Sequence, residues 1–185
     1  MDSGHADHIR LHMSTNGSIF PDSTIGLLNC FKEVEIALSI DNLGHRFEYE
    51  RGGNWDDIEK NISKFQSQTK LKLFIAPAVS IQNVLYLDEV IDWANEKNIK
   101  IILSFVNNPL YLSIDNMTDT AKNLIISKYQ NHKHKELRLL AQRLQTSANS
   151  DGQEFVKFMK TLDVHRGQSF INTHKEIALA MGYAL

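Results

Sequence analysis

The first 115 or so residues alternate short runs of β-type residues with segments of helical periodicity. The four runs cover residues 8–14, 34–41, 71–80 and 99–106. This alternation is typical of βαβ units, in which successive strands lie parallel in one sheet. The third run contains Pro77, and because proline lacks a backbone donor we expect a bulge or a strand end there.

The second run shows the clearest alternation of apolar and polar positions. One face would carry Val34, Ile36, Leu38 and Ile40, and the other Glu35, Ala37, Ser39 and Asp41. Strands of layered α/β folds are usually apolar on both faces. The small, polar face therefore indicates the lining of a cavity.

Helical segments separate the runs and dominate the rest of the chain. Asn54 is a candidate N-cap for a helix with an apolar stripe, and Asn98 can close a later helix in the left-handed conformation. From Thr118 onward the pattern is helical. The chain is thus predicted to be an α/β protein, with about four strands in residues 1–115 and a helical segment in residues 116–185.

Composition excludes several classes of partner. The net charge of −2 and the absence of a Lys/Arg run argue against nucleic acid and against an anionic membrane. No apolar run is long enough to span a bilayer, and the first residues lack a signal-peptide core. A single cysteine, Cys30, fits a reducing compartment. We therefore expect a cytoplasmic protein, with Cys30 as a buried small hydrophobe in a short helix.

Polar residues follow all four runs, at 15–17, 39–42, 79–83 and 106–108. Ligands of parallel α/β sheets bind at the carboxyl ends of strands, but turns also favour Asn, Ser and Asp. Both readings stay open, a shared cleft and ordinary turn chemistry. His8 and His12 would lie about 13 Å apart by strand rise, so we expect no metal site, and no residue is assigned a catalytic role.

Several strings in this order resemble the radical S-adenosylmethionine enzymes. They are LHMSTNGS at 11–18, VEIALSID at 34–41, RFEYERGGNW at 46–55, AVSIQNVLYL at 78–87 and LDVHRG at 162–167. They are similar to the third, fourth and fifth strands of that family, to the loop before its fourth helix, and to C-terminal segments of the subgroup with a twitch domain. The likeness covers most of the chain.

The resemblance implies a parallel partial (β/α) barrel fragment that supplies strands three to six. It implies cofactor or substrate contacts at the strand ends, by Thr15, Asn16, Ser39, Asp41, Arg51, Asn83 and Asn107. Arg51 would pair with the cofactor's carboxylate or be a solvated loop arginine. Asp41 would accept from ribose hydroxyls or cap a turn.

The family's CxxxCxxC motif is missing, and one thiolate cannot hold a cluster that takes three or four. The resemblance therefore implies a fragment that is not catalytic alone, so enzyme status is left open. S-adenosylmethionine and a 4Fe-4S cluster would act only with an N-terminal half supplied. The alternative is a non-catalytic module for a small ligand or a protein partner, and a homodimer through an unpaired strand edge is a further expectation.

Overall fold

The computed structural model describes residues 4–23, 25–68, 70–148 and 150–183. The helices and strands in chain order are β1 (Arg10–Thr15), α1 (Ile25–Leu28), β2 (Glu33–Leu38), α2 (Gly44–Arg51), α3 (Trp55–Gln66), β3 (Leu71–Ile75), β4 (Ala78–Val79), α4 (Leu87–Glu96), β5 (Lys100–Ile101), β6 (Ser104–Phe105), α5 (Asp119–Tyr129), α6 (Lys135–Gln145), α7 (Gln153–Arg166), α8 (Phe170–Thr173) and α9 (Lys175–Ala180).

The chain divides into two compact units. Unit 1 comprises Met1–Pro77 and Asp92–Leu103, and unit 2 comprises Ala78–Ile91 and Ser104–Leu185. The predicted boundary after residue 115 falls inside unit 2 and stays a prediction. Each unit has its own sheet and its own buried apolar residues, so the two are described separately.

Unit 1 is built on a four-stranded sheet in the order β1-β2-β3-β5, with every neighbouring pair parallel. The register places Met13 beside Ile36 and Ile36 beside Leu73. Side chains of a strand alternate between faces, so these three residues share one face. On β2 that face is fully buried, at Val34, Ile36 and Leu38. The predicted alternation of the second run is therefore observed.

The opposite face of the unit 1 sheet carries charge. We call it the charged face: Arg10 and His12 on β1, Glu33 and Glu35 on β2, and Lys72 on β3. Arg10 and Lys72 both form ion pairs with Glu33, and the Nδ1 atom of His12 lies 3.6 Å from a Glu35 oxygen. This face is exposed or half-buried along β1 and β2, except at Ala37.

Helix α3 forms because its cap and its apolar stripe agree. The side chain of Asn54 accepts from the backbone N–H of Asp57 at 3.2 Å, which satisfies one of the free donors of the first turn. Ile58, Ile62 and Phe65 recur at helical spacing and are buried. The stripe and the cap predicted from the sequence are both confirmed.

The two tryptophans of the chain lie together in unit 1. The ring centroids of Trp55 and Trp93 are 5.5 Å apart. The indole N–H of Trp93 donates to Glu59 at 3.0 Å, and Lys97 forms an ion pair with the same carboxylate. These donors lower the pKa of Glu59 below its ordinary value. Asn98, at the end of this segment, has φ of 55°, so its predicted left-handed conformation is confirmed.

The third β-type run is interrupted at Pro77, as the sequence predicts. Strand β3 ends at Ile75, and β4 begins after Pro77. Ala76 donates its N–H to Leu38, but Pro77 has none to give. The fourth run is likewise divided, into β5 and β6, although it contains no proline.

Unit 2 combines a short parallel pair, β4 and β6, with helices α5 to α9. Helix α5 contacts α6 and α9, and α8 contacts α7 and α9. The apolar faces predicted for α6 and α9 are buried, namely Leu137, Leu140, Ala141 and Leu144 in one and Ile177 and Ala178 in the other. An α/β fold with a parallel four-stranded sheet and a helical C-terminal part is thus confirmed.

Three polar side chains of unit 2 are buried for structural reasons. Lys122 donates to the carbonyls of Ser147 and Ala148, which follow α6, and desolvation lowers its pKa. The hydroxyl of Tyr129 lies 3.0 Å from the Val84 carbonyl oxygen and 3.1 Å from an Asp88 oxygen, and these two acceptors share its one hydrogen. Asp163 accepts from the backbone N–H of Phe170 and from the hydroxyl of Tyr183. We call this last group the Asp163 junction.

Within the described residues, no helix is long and apolar enough to cross a bilayer. The prediction that Cys30 is buried is wrong, because its side chain is exposed. Helix α1 is only one turn long and ends at Leu28, so Cys30 is not carried on an inward helical face.

Candidate functional site

Polar side chains lie at the carboxyl ends of the strands in the unit 1 sheet. Strand β1 ends at Thr15 and β2 ends at Leu38, and the two ends are held side by side because Ser39 donates its N–H to Thr15 at 2.8 Å. Parallel strands present their carboxyl ends at one edge, which is where ligands of α/β sheets bind. This edge is therefore the candidate site.

At the end of β1 the polar side chains are used in a turn. The Thr15 hydroxyl accepts from the Gly17 N–H at 3.2 Å, and the Asn16 side chain accepts from the backbone and hydroxyl of Ser18. Asn61 of α3 donates to the carbonyls of Gly17 and Ser18, both at 3.0 Å. For Thr15 and Asn16, the turn chemistry weighed from the sequence is what the structure contains.

At the end of β2 a group of charged and amide side chains lies between the strand and α2. We call Asp41, Asn42, Arg46, Glu50 and Arg51 the edge cluster. Arg51 Nε donates to Asp41 Oδ2 at 2.5 Å, and Arg46 Nε donates to Asn42 Oδ1 at 3.2 Å. The amide of Asn42 also donates to Glu50 at 2.7 Å. Asp41 is only 7% exposed and Asn42 is fully buried.

One carboxyl group of the edge cluster, that of Glu50, has a strongly raised pKa. Burial, together with the negative charge of Asp41, raises the pKa of Glu50 to about 8. The hydrogen bond from Asn42 and the positive charges of Arg51 and Arg46 act in the opposite direction but are weaker. Near neutral pH, Glu50 is thus mostly a protonated acid that can donate a hydrogen bond.

The chemistry available at the edge cluster is recognition of a polar, charged small molecule. Arg51 uses Nε for Asp41, so the N–H groups of its two terminal nitrogens suit a ligand carboxylate. The carboxylate of Asp41 suits hydroxyl or ammonium groups, and the protonated carboxyl of Glu50 suits a hydroxyl group. Ser39 lies half-buried just before them. The structure thus brings Asp41 and Arg51 into contact and leaves Ser39 two residues away on the same edge.

The two remaining candidate residues belong to unit 2. Asn83 is buried, and its side chain accepts from the Ser80 N–H at 2.8 Å and donates to the Ala78 carbonyl at 2.9 Å. It therefore stabilises the loop that follows β4. Asn107 is exposed and follows β6.

The sequence indicates Asn42 only as part of the polar strand end at 39–42, and it does not single out Arg46 and Glu50 as site residues. The spacing of these two carries a signal, because positions i and i+4 lie on one face of a helix. Helix α2 begins at Gly44, so it includes Arg46 and Glu50, while Asn42 lies before its first residue. Reading the segment as a loop leading into a later helix concealed the pattern.

Metal ligands do not gather in the part of the chain that the structure describes. No group of three or more His, Cys, Asp or Glu side chains there could hold a metal ion. The sequence has one cysteine, which is fewer than the three thiolates that an iron–sulfur cluster needs. The residues present therefore do not fit such a cluster. No protein-family model, curated protein or solved structure matches this chain.

Proposed function

We propose that the edge cluster binds a small molecule that carries both a carboxylate and hydroxyl or ammonium groups, of which S-adenosylmethionine is an example. The observation that carries the proposal is the buried Asp41 paired with the more exposed Arg51, beside a carboxyl whose pKa is raised to about 8. The terminal nitrogens of the exposed Arg51 can add a charge-assisted contact to a ligand carboxylate while Nε keeps its bond to Asp41.

The proposal includes a wider reading of the chain. In it, the chain is a radical S-adenosylmethionine-like piece whose parallel strands are part of a partial barrel, with Ser39, Asp41 and Arg51 facing the cofactor. The charged face supports this reading, because a polar face on a parallel sheet suits a cavity lining better than a packed core. The chain alone would not catalyse, since one cysteine cannot hold the cluster.

Titration calorimetry with S-adenosylmethionine and S-adenosylhomocysteine tests the binding proposal. We expect saturable heat with the wild-type chain and about tenfold weaker binding by Arg51→Gln, the loss of one charge-assisted contact. Arg143→Gln is the matched control, because Arg143 of unit 2 also contacts an aspartate at 2.5 Å. Equal affinity of the two variants, or no heat with either ligand, contradicts the proposal.

Anaerobic reconstitution with iron and sulfide tests the statement about catalysis. We expect the chain alone to stay colourless, because the cluster needs at least three thiolates. Addition of a separately expressed segment with a CxxxCxxC motif is the positive control. A cubane-type absorption band from this chain alone would contradict the proposal.

A protein-binding role is the second candidate, and the specific observation in its favour is the exposure of β1. Arg10, His12, Met13 and Ser14 are all exposed on this edge strand. A second copy of the chain or a supplied N-terminal half would be the partner in this reading. Light scattering across a dilution series tests the homodimer: a mass near 21 kDa throughout excludes it.

A further inference from the structure

Strand β1 has one neighbour in the sheet. It pairs with β2 on one side, and no other described strand pairs with its outer edge. Four of its six residues are exposed, so nothing described covers that edge. The backbone N–H and C=O groups of such an edge can accept another strand.

The charges on the charged face alternate in sign from strand to strand. Arg10 of β1 lies in register with Glu33 of β2, and His12 lies in register with Glu35. Glu35 in turn lies in register with Lys72 of β3. Arg10 and Lys72 both contact Glu33. An acidic side chain beyond Arg10 would continue the alternation of charge from strand to strand.

The other face of β1 is apolar, and its side chains are only partly covered at the outer edge of the strand. Met13 is 38% exposed, and Ile9, just before the strand, is 46% exposed. Their neighbours across the sheet, such as Ile36, are fully buried. An additional strand with apolar residues at alternate positions would cover Ile9 and Met13, as β2 covers the inner side of β1.

We propose that the outer edge of β1 binds an extended peptide segment of another protein in which acidic residues alternate with apolar ones. The acidic side chains would lie beside Arg10 and His12, and the apolar ones beside Met13 and Ile9. This inference does not depend on the ligand proposed for the edge cluster, because β1 contributes no residue to that cluster. It rests on the second candidate function, protein binding at β1, and names the chemistry of the partner.

The same charges disfavour a second copy of this chain as the occupant. Antiparallel pairing of two β1 strands at their outer edges would bring the Arg10 side chains of both copies onto one face. Parallel pairing would turn one copy over and place Arg10 of one copy on the same face as the apolar Ile9 and Met13 of the other. Like charges across a strand pair are destabilising. The segment is therefore a different sequence, one that resembles β2 in its pattern, Glu-Val-Glu-Ile.

Fluorescence anisotropy with two labelled hexapeptides tests the inference. One is Glu-Val-Glu-Ile-Glu-Val, and the control has lysine at each glutamate position. We expect the acidic peptide to bind about tenfold more tightly at low salt and to lose this preference in high salt. Arg10→Glu should reverse the preference toward the lysine peptide. This rescue separates a charge effect from misfolding, because an unfolded variant would not gain affinity for either peptide.

Hydrogen–deuterium exchange locates the bound peptide. We expect the acidic peptide to slow exchange in residues 10–15 and to leave the edge cluster unchanged. Equal affinity for both peptides, or protection only outside residues 10–15, overturns the inference. Light scattering provides a further check, since a dimer that dissociates when Arg10→Glu is introduced would mean that a second copy occupies the edge. Calorimetry with S-adenosylmethionine reports on the edge cluster separately, so either proposal can fail alone.

Discussion

Two buried carboxylates of this chain have nearly the same exposure but accept hydrogen bonds from different kinds of donor. Asp41 in unit 1 is 7% exposed and Asp163 in unit 2 is 9% exposed. Asp163 accepts from a backbone N–H and a tyrosine hydroxyl, neutral donors that join α7 to the start of α8 and to the chain end. Asp41 is paired with an arginine beside a second carboxyl.

The comparison distinguishes two kinds of buried carboxylate. The hydrogen bonds of one connect parts of the fold, while the other is paired with a side chain that still reaches solvent. At the Asp163 junction these two donors belong to the packed interior, because Phe170 and Tyr183 are buried. The contact also raises the pKa of Tyr183 to about 12, through desolvation and the carboxylate. In the edge cluster the partner Arg51 reaches solvent. The first arrangement connects parts of the fold, and the second leaves a charged side chain exposed to solvent, where we propose that a ligand binds.

The largest effect is expected from Asp163→Ala. This change leaves the buried N–H of Phe170 and the hydroxyl of Tyr183 without their acceptor, at a cost of about 3 kcal/mol. Chemical denaturation followed by circular dichroism measures it. Asp115→Ala is the control, because Asp115 is only partly buried and pairs with Arg143; its loss should be within about 1 kcal/mol. Equal losses would remove the distinction between the two kinds of carboxylate.

The next effect concerns pH. The pKa of Glu50 is raised from 4.5 to about 8, so between these values the native chain holds a proton that the unfolded chain releases. The free energy of unfolding should therefore fall as pH rises from 4.5 to 8. We expect Glu50→Gln to remove about 2 kcal/mol of this decline, allowing for solvent around a half-buried group.

Glu59→Gln is the control for that titration, because its sign is opposite. The pKa of Glu59 is lowered by Trp93 and Lys97, so its contribution is present above pH 4.5 and lost as pH falls through its native pKa. Thermal denaturation at several pH values from 3 to 9 covers both windows. If the two variants changed the pH profile with the same sign, the electrostatic account of the edge cluster would be wrong.

Arg51→Gln sharpens the comparison within one residue type. It removes a cation from the largely buried Asp41, and we expect a loss of about 1–2 kcal/mol. Arg143→Gln removes a cation from the more exposed Asp115 and should cost less than about 1 kcal/mol. The urea midpoints of both variants show whether the more buried ion pair contributes more to stability than the exposed one.

The smallest effect is expected from Asn54→Ala at the start of α3. The side chain accepts from Asp57 N–H, and loss of such a cap costs about 1 kcal/mol. Asn54→Asp keeps an acceptor at the same position and should restore most of the stability. A cost well above that of Arg51→Gln would show that the α3 cap matters more to unit 1 than the edge cluster does.

The sequence predicted most of the elements because their signals are local. The period-two alternation of residues 34–41 predicts β2. The Asn54 cap and the apolar stripe after it predict α3, and Pro77 predicts the break after β3. The sequence does not indicate that each unit is made of two separate chain segments, since this depends on which elements pack together. The expectation of a buried Cys30 fails because α1 ends at Leu28, before it reaches the cysteine.

The candidate site was predicted in part, and the missing part has a physical cause. Asp41 and Arg51 were both named, but as separate contacts to a ligand, whereas they contact each other. Ten residues separate them in the chain, so their pairing depends on how α2 folds back after β2. Arg46 and Glu50 required recognition that α2 begins at Gly44. The roles of Thr15, Asn16 and Asn83 as turn and loop acceptors were weighed as the alternative to ligand binding.

The placement of the tryptophans gives each unit its own optical signal. The chain has two tryptophans, and both lie in unit 1, with rings 5.5 Å apart. Emission excited at the red edge of the indole band therefore reports on unit 1 alone. Four of the five tyrosines, Tyr86, Tyr111, Tyr129 and Tyr183, belong to unit 2, so absorbance in the tyrosine region is weighted toward that unit. Comparing the two signals during denaturation would show whether the units unfold in one transition or in two.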